Sequence, residues 1–328
     1  MERGKDIPKI QHYVPQFILR NFSVGKKPQV FVFDKSDNRI FKTNIRNVAS
    51  ETGFYNFEID EKSYSIETQL SKLEKISSQV VNKIARFEKI SGLTESERLY
   101  LSMFIAVQLT RTLHSRQFMK HAYQDLEKKL RSVGAEPLEV KGFYPLTDDD
   151  IKRITIHTIA NADEFVPHIR DKIWLLLKAS KSDPFYISDN PVTMQTLQEF
   201  GYPDKVGLAV EGIEIYMPLS SQLTLAMYCK SYEKKILEAY TKFKIVSIVK
   251  PELAKLKDLE TISIEALMRG FETGCVVPCS SENIVNLNSL QVAYSSRFIY
   301  SSTRNFDLAL DMINENEKYR RGPRATLQ

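Results

Sequence analysis

The sequence is short of several things, and each shortage removes a class of protein. Only three cysteines are spread over 328 residues. A small, odd number of thiols makes no disulfide framework and suits a reducing compartment, so a cytoplasmic location is expected. No apolar run approaches the roughly 18 to 20 residues that a membrane span needs. The stretch WLLL, Trp174 to Leu177, has only the length of a buried strand or helix turn. The first residues, MERGKDIPKIQHY, lack the apolar centre of a secretory leader, so secretion is not expected. Glycine is sparse at twelve, which disfavours phosphate-cradling loops. The patterns G-x-x-x-x-G-K-[ST], G-x-G-x-x-G, H-E-x-x-H and G-x-S-x-G are absent, so the common nucleotide-binding, zinc-protease and serine-hydrolase classes lack support. A strong charge of one sign is missing too. A net charge of +5 and a pI near 8.8 permit contact with nucleic acid without demanding it.

What remains is an ordinary globular composition, 42% hydrophobic and 27% charged, in a chain long enough to bury a proper core. QVFVFD at Gln29–Asp34 and RIFKTNI after the turn KSDN predict a hairpin over 29–45. Ile66, Leu70, Leu73, Val80, Ile84 and Phe87 recur at helical spacing, with Gly92 as the stop. Thr94 and Glu97 form a capping box that opens a second helix. Its pattern runs from about 95 to about 131, some 50 Å at 1.5 Å per residue. Thr147 caps a further helix with Asp148–Asp150 at its positive end. KIWLLLKAS and FYISDNPVTM read as a hairpin around KSDP, and IEIYMPLS and LTLAMYC as two more strands. Residues 251–270 and 282–296 read as helices, and RFIYSS as a closing strand.

The expected fold class is α+β, with long antiparallel helices in the N-terminal half packed with a mainly antiparallel sheet from the C-terminal half. Residues 1–312 are expected as one domain, helical over about 60–165 and sheet-rich over about 170–305. Residues 313–328, with KYRRGPR at Lys318–Arg324, read as a polar, basic, solvated tail that frays.

Among polar residues, Glu67 and Glu74 lie seven apart on one helix face. Gln108 and Arg111 lie three apart on the next helix. Glu74 stands 18 residues before Gly92, and Gln108 and Arg111 stand 16 and 19 after it, so antiparallel helices bring them to one level. A Glu–Arg pair beside a Gln is either a structural ion pair or the wall of a site. Asp189 and Asn190 in YISDNPV suit a tight turn, or a carboxylate and an amide presented at a sheet end. Cys275 and Cys279 form C-x-x-x-C without a nearby His and read as unreactive thiols rather than metal ligands. Arg116 and His121 fit R-x-x-x-x-H on a helix, which resembles the motif of the HEPN ribonucleases. That pattern has low specificity, and Gln117 stands where an Asn often follows the Arg.

Several blocks recur in order: QHYVPQFILRNF, NVASETGFYN, the helix containing Glu74, FIAVQLTRT, FYISDNPV and YMPLSSQLTLAMY. Over about residues 10–300 they resemble the bacterial family called domain of unknown function 4238, with Gln11 where many relatives have His. The resemblance implies that His12, Gln16, Arg20, Glu74, Gln108, Arg111, Asp189 and Asn190 are family motif positions. It implies no activity. His114 and His121 fall outside the motifs, which weakens the ribonuclease match.

The N-terminal segment is then expected as a strip laid over the helices, anchored by Tyr13, Phe17 and Phe22, with His12 and Arg20 aimed at Glu74, Arg111 or Asp189. The leading functional expectation is an enzyme acting on nucleic acid or a nucleotide, of nuclease type, used as a toxin or phage-defence effector. His12 is cast as general acid or base, and Glu74 and Asp189 as carboxylates for proton or metal work. Arg111 is the transition-state clamp, and Gln16, Arg20, Gln108 and Asn190 bind substrate. A divalent metal ion is left open as cofactor. The alternatives are a non-catalytic sensor for an anionic small molecule or a phage protein, and a subunit whose polar motifs are purely structural.

Overall fold

A computed structural model of the chain describes residues 2–3, 8–59, 62–196, 207–249 and 258–323. The chain opens with strands β1 (Glu2–Arg3) and β2 (Ile10–His12) and a five-residue helix α1 (Gln16–Arg20). Then come β3 (Gln29–Asp34), β4 (Arg39–Asn44), β5 (Ser50–Thr52), β6 (Asn56–Ile59) and β7 (Lys62–Ser65). Helices α2 (Glu67–Phe87), α3 (Glu95–Thr110), α4 (Leu113–Ser132), α5 (Asp148–Ala160) and α6 (Val166–Arg170) follow. The second half holds β8 (Ile173–Lys178), β9 (Ile187–Ser188), β10 (Thr193–Thr196), β11 (Ile213–Pro218) and β12 (Leu223–Tyr228). After them come α7 (Lys230–Val249), α8 (Asp258–Thr273), β13 (Val277–Pro278), α9 (Ser281–Tyr294), β14 (Phe298–Ser301) and α10 (Asp307–Glu315). The fold is α+β, with helices and antiparallel sheets sharing a core.

A five-stranded sheet in the order β10-β11-β12-β8-β13 is antiparallel except at its β13 edge. β8, β11 and β12 are nearly continuous apolar runs because both faces are covered. Leu176, Ile215, Met217, Leu225 and Met227 face α2 and α3, where Val81, Ile84, Phe104 and Ile105 complete the main core. Alternate residues Leu175, Leu177, Tyr216, Ala226 and Tyr228 face the other way, onto Val277, Ile284 and Leu287. A second sheet, β4-β3-β14-β9, contains the predicted 29–45 hairpin.

Three expectations need correction. The helix predicted over 95–131 is two helices. Arg111 ends α3, and Thr112 caps α4 by accepting the Ser115 amide at 3.2 Å. The Thr112 hydroxyl also donates to Asn190 Oδ1 at 3.1 Å, a tertiary bond that holds the break open. The KSDP hairpin does not form either. β8 pairs with β12 in the large sheet, whereas β9 pairs with β14 in the other. The first long helix stops before Gly92, at Glu88, whose left-handed backbone (φ 49°) caps it.

The C-terminal segment also differs from a fraying tail that starts at 313. Residue 313 lies inside α10, whose Ala309 and Ile313 are buried with Phe33 and Phe306. Beyond it Glu317–Arg320 forms a 3-10 turn, and Arg320 Nη1 donates to the Lys35 carbonyl and Asn38 Oδ1, each at 2.8 Å. Residues 324–328 lie outside the described residues, as do 251–257 of the predicted 251–270 helix.

Candidate functional site

The opening segment lies where the helix pair needs it. β2 pairs with β5, placing His12 opposite Ser50. Pro15 then starts α1, whose Ile18 and Leu19 are fully buried. Tyr13 and Phe22 are buried, and the Phe17 ring packs on Phe104 with centroids 5.3 Å apart. Gln11 is buried as well. Its amide donates to Asn56 Oδ1 at 2.8 Å and its carbonyl accepts the Tyr55 amide at 2.6 Å. A neutral amide at this position thus stitches the strip to the turn before β6.

The level match between the two helices is met. Arg111 Nη1 donates to Glu74 Oε1 at 2.6 Å, and Arg111 Nε to Gln108 Oε1 at 2.9 Å. Gln108 Nε2 in turn donates to the Tyr13 carbonyl at 2.9 Å, so the N-terminal strip joins the same chain of bonds. The Arg111 side chain is wholly buried, and its Nη2 has no protein partner. Burial alone would lower the Arg111 guanidinium, but the Glu74 charge, with Tyr55, more than offsets it and raises it.

Around this pair stand three further groups. The Tyr55 hydroxyl donates to the His12 carbonyl at 3.1 Å, and burial raises its phenol well above the ordinary value. His12 is half-buried, with Nε2 lacking a partner. Burial lowers its imidazole, against the carbonyls of Arg46 and Ile45 and the charge of Glu74. Glu67, one heptad before Glu74, is half-buried and pushed up to about 7, first by burial and then by the Glu74 charge, with Arg111 pulling the other way. Glu67 and Glu74 therefore share a helix face, and the raised Glu67 carboxyl can hold a proton closer to neutral pH than an ordinary glutamate. Sequence spacing displays the pair, but the burial that raises Glu67 and the role of Tyr55 are not in the spacing. For Tyr55 the available signal is its place in the GFYN turn.

The remaining predicted residues fall elsewhere. Asp189 is buried in the junction of β9 and β14, where its carboxylate accepts the backbone amides of Ser296, Arg297 and Phe298, each at 2.8 Å. Burial pushes this carboxyl upward, against those three amides and Lys35. The expected proton- or metal-handling carboxylate is here a latch on the backbone. Asn190 links the α3–α4 break to α9 by accepting from Thr112 and donating to the Tyr294 carbonyl at 3.1 Å. Gln16 is half-buried in α1, and Arg20 is exposed at its end. Both lie outside the bonded group around Arg111, although α1 packs on the Ile45–Asn47 turn beside His12. Arg116, of the R-x-x-x-x-H pattern, lies over the Phe54 ring at 3.7 Å and donates to the Phe54 carbonyl at 2.8 Å. That engagement is structural.

The three cysteines are free thiols, and burial pushes Cys279 up to about 12. Among the described residues no group of three or more His, Cys, Asp or Glu side chains is placed to hold a metal ion, and no helix is long and apolar enough to cross a membrane. The family model described as "Protein of unknown function (DUF4238)" matches residues 10–305. No curated protein and no solved structure matches the chain.

Proposed function

The chain belongs to the DUF4238 family, and we propose that it is a hydrolase of nuclease type, cleaving phosphodiesters of nucleic acid or a nucleotide by acid–base chemistry. The observation that carries this proposal is the Glu67 carboxyl, pushed to about 7 on the same helix face as a Glu74 that is ion-paired to buried Arg111. Glu67 is the proton donor to the leaving oxygen. His12, its imidazole lowered by burial and its buried Nε2 without a partner, accepts the proton of the attacking hydroxyl or water once substrate opens that atom to the site. Arg111 is a positioning residue rather than a clamp, because its guanidinium is already engaged by Glu74 and Gln108. It fixes Glu74, and through Gln108 it fixes the strip that carries His12. Exposed Arg20 and Arg46, on the two elements flanking His12, offer positive charge to a phosphate backbone. In a bacterial cytoplasm such an activity suits a toxin or a phage-defence effector.

The test is degradation of labelled single- and double-stranded RNA and DNA by the purified protein, with and without divalent metal, beside His12→Ala and Glu67→Gln. Cleavage is expected from the wild type. Each variant should lose roughly a hundredfold or more, the scale of general acid–base catalysis, while its melting temperature stays within a few degrees. A folded wild type that cleaves none of these substrates, or variants that cleave equally well, would overturn the proposal. A melting shift with an anionic ligand but no turnover would instead support a sensor.

A further inference from the structure

The face of the large sheet turned away from this site carries a second polar feature. Strand alternation points Glu214 and Tyr216 of β11 and Tyr228 of β12 to that side, under α8 and α9. They line a cavity of about 230 Å³, whose lining also includes the exposed Asn283 and Asn286 of α9. Glu214 is only 5% exposed. Its Oε2 accepts the Tyr216 hydroxyl at 2.7 Å and the Gln195 amide at 2.6 Å. Tyr228 stacks on Tyr232 with centroids 4.5 Å apart and meets Tyr216 edge-on at 6.0 Å, so rings wall the space beside the carboxylate. None of the described residues lining the cavity is Lys or Arg.

A buried carboxylate is costly without a cationic partner, and its two donors among the described residues are both neutral. Both also fall on the same oxygen, and among the described residues none donates to Oε1. A carboxylate beside tyrosine faces in a space below the roughly 300 Å³ of a drug-sized pocket matches a small cation with a flat donor group. We propose that this cavity binds a small organic cation of the amidine or guanidine class, with Glu214 taking its N–H groups and the tyrosine rings packing on its plane. It lies across the sheet from the Glu67–Glu74 pair, so this inference stands apart from the proposed hydrolysis.

Benzamidine is the probe and benzamide its neutral isostere, each titrated calorimetrically into the full chain. Benzamidine is expected to saturate one site with a Kd of about 1 mM or tighter, and benzamide to bind at least roughly tenfold more weakly. Glu214→Gln should weaken benzamidine by roughly tenfold or more. Asn283→Trp, at an exposed position lining the same cavity and outside the hydrogen bonds that join Glu214, Gln195 and Asn286, should block entry, and it decides the matter if Glu214→Gln does not fold. Lack of saturation in the wild type, equal binding of the two probes, or full binding by the folded variants would each overturn the proposal.

Discussion

Glu67→Gln tests the site through stability, independently of any substrate. The Glu67 carboxyl is raised from its ordinary 4.5 to about 7 in the folded chain. Between those values the unfolded chain has released the proton and the folded chain still holds it. The folded state is therefore favoured most below about 4.5, and the advantage is lost as pH rises toward 7. At 1.36 kcal/mol per pH unit the interval corresponds to roughly 3 kcal/mol. Glu67 is partly open to water, whose screening brings the figure to about 2 kcal/mol. Glutamine keeps the shape and cannot ionise. Urea unfolding of wild type and Glu67→Gln at pH 4.5 and pH 8 should therefore show the variant gaining about 2 kcal/mol on the wild type between the two conditions. A difference that stays constant with pH would refute the burial and charge repulsion assigned to Glu67.

Three further outcomes are expected, all measured by denaturant unfolding at neutral pH. Arg111→Met removes the buried partner of Glu74 and Gln108 and should cost about 3 kcal/mol, with Glu74→Met adding much less on top of it; a loss below about 1 kcal/mol would contradict the buried pair. Thr112→Val deletes both the α4 cap and the bond to Asn190 and should cost about 1 to 2 kcal/mol, so an unchanged stability would mean that the break does not depend on the hydroxyl. Ala49, whose carbonyl accepts the Tyr13 amide, sits in the left-handed region at φ 52°. Ala49→Gly relieves that conformation and should be neutral or stabilising by up to about 1 kcal/mol; a clear loss would contradict the assigned backbone.

What the sequence discloses depends on how local each cause is. The 29–44 hairpin is legible because its alternation and its turn are neighbours in the chain. The meeting of Glu74 and Arg111 is legible because both helices count from one connection. The break at Thr112 is not, because LTRTLHSR holds neither Gly nor Pro and the bond that helps open the helix comes from Asn190, 78 residues away. β9 looks like a hairpin partner of β8, but β14 outcompetes β8 for it. Asp189 announces turn chemistry, yet its partners are backbone amides, which no residue identity encodes. α7 is absent from the expectations; its described residues bury no side chain, so it has no strong apolar stripe to read. In the candidate site, residue types and spacing are visible in advance, whereas the burial that raises the Glu67 carboxyl arises only when the chain closes around α2.

That rise is measured most directly by a carbon-13 NMR titration of the glutamate side-chain carboxyls, with the Glu67 signal assigned by its absence in Glu67→Gln. A midpoint near 7 is expected for this carboxyl, moving down toward the ordinary range in Glu74→Gln. A midpoint between about 4 and 5 in the wild type, unmoved by the loss of Glu74, would contradict the raised Glu67 carboxyl on which the proposed chemistry rests.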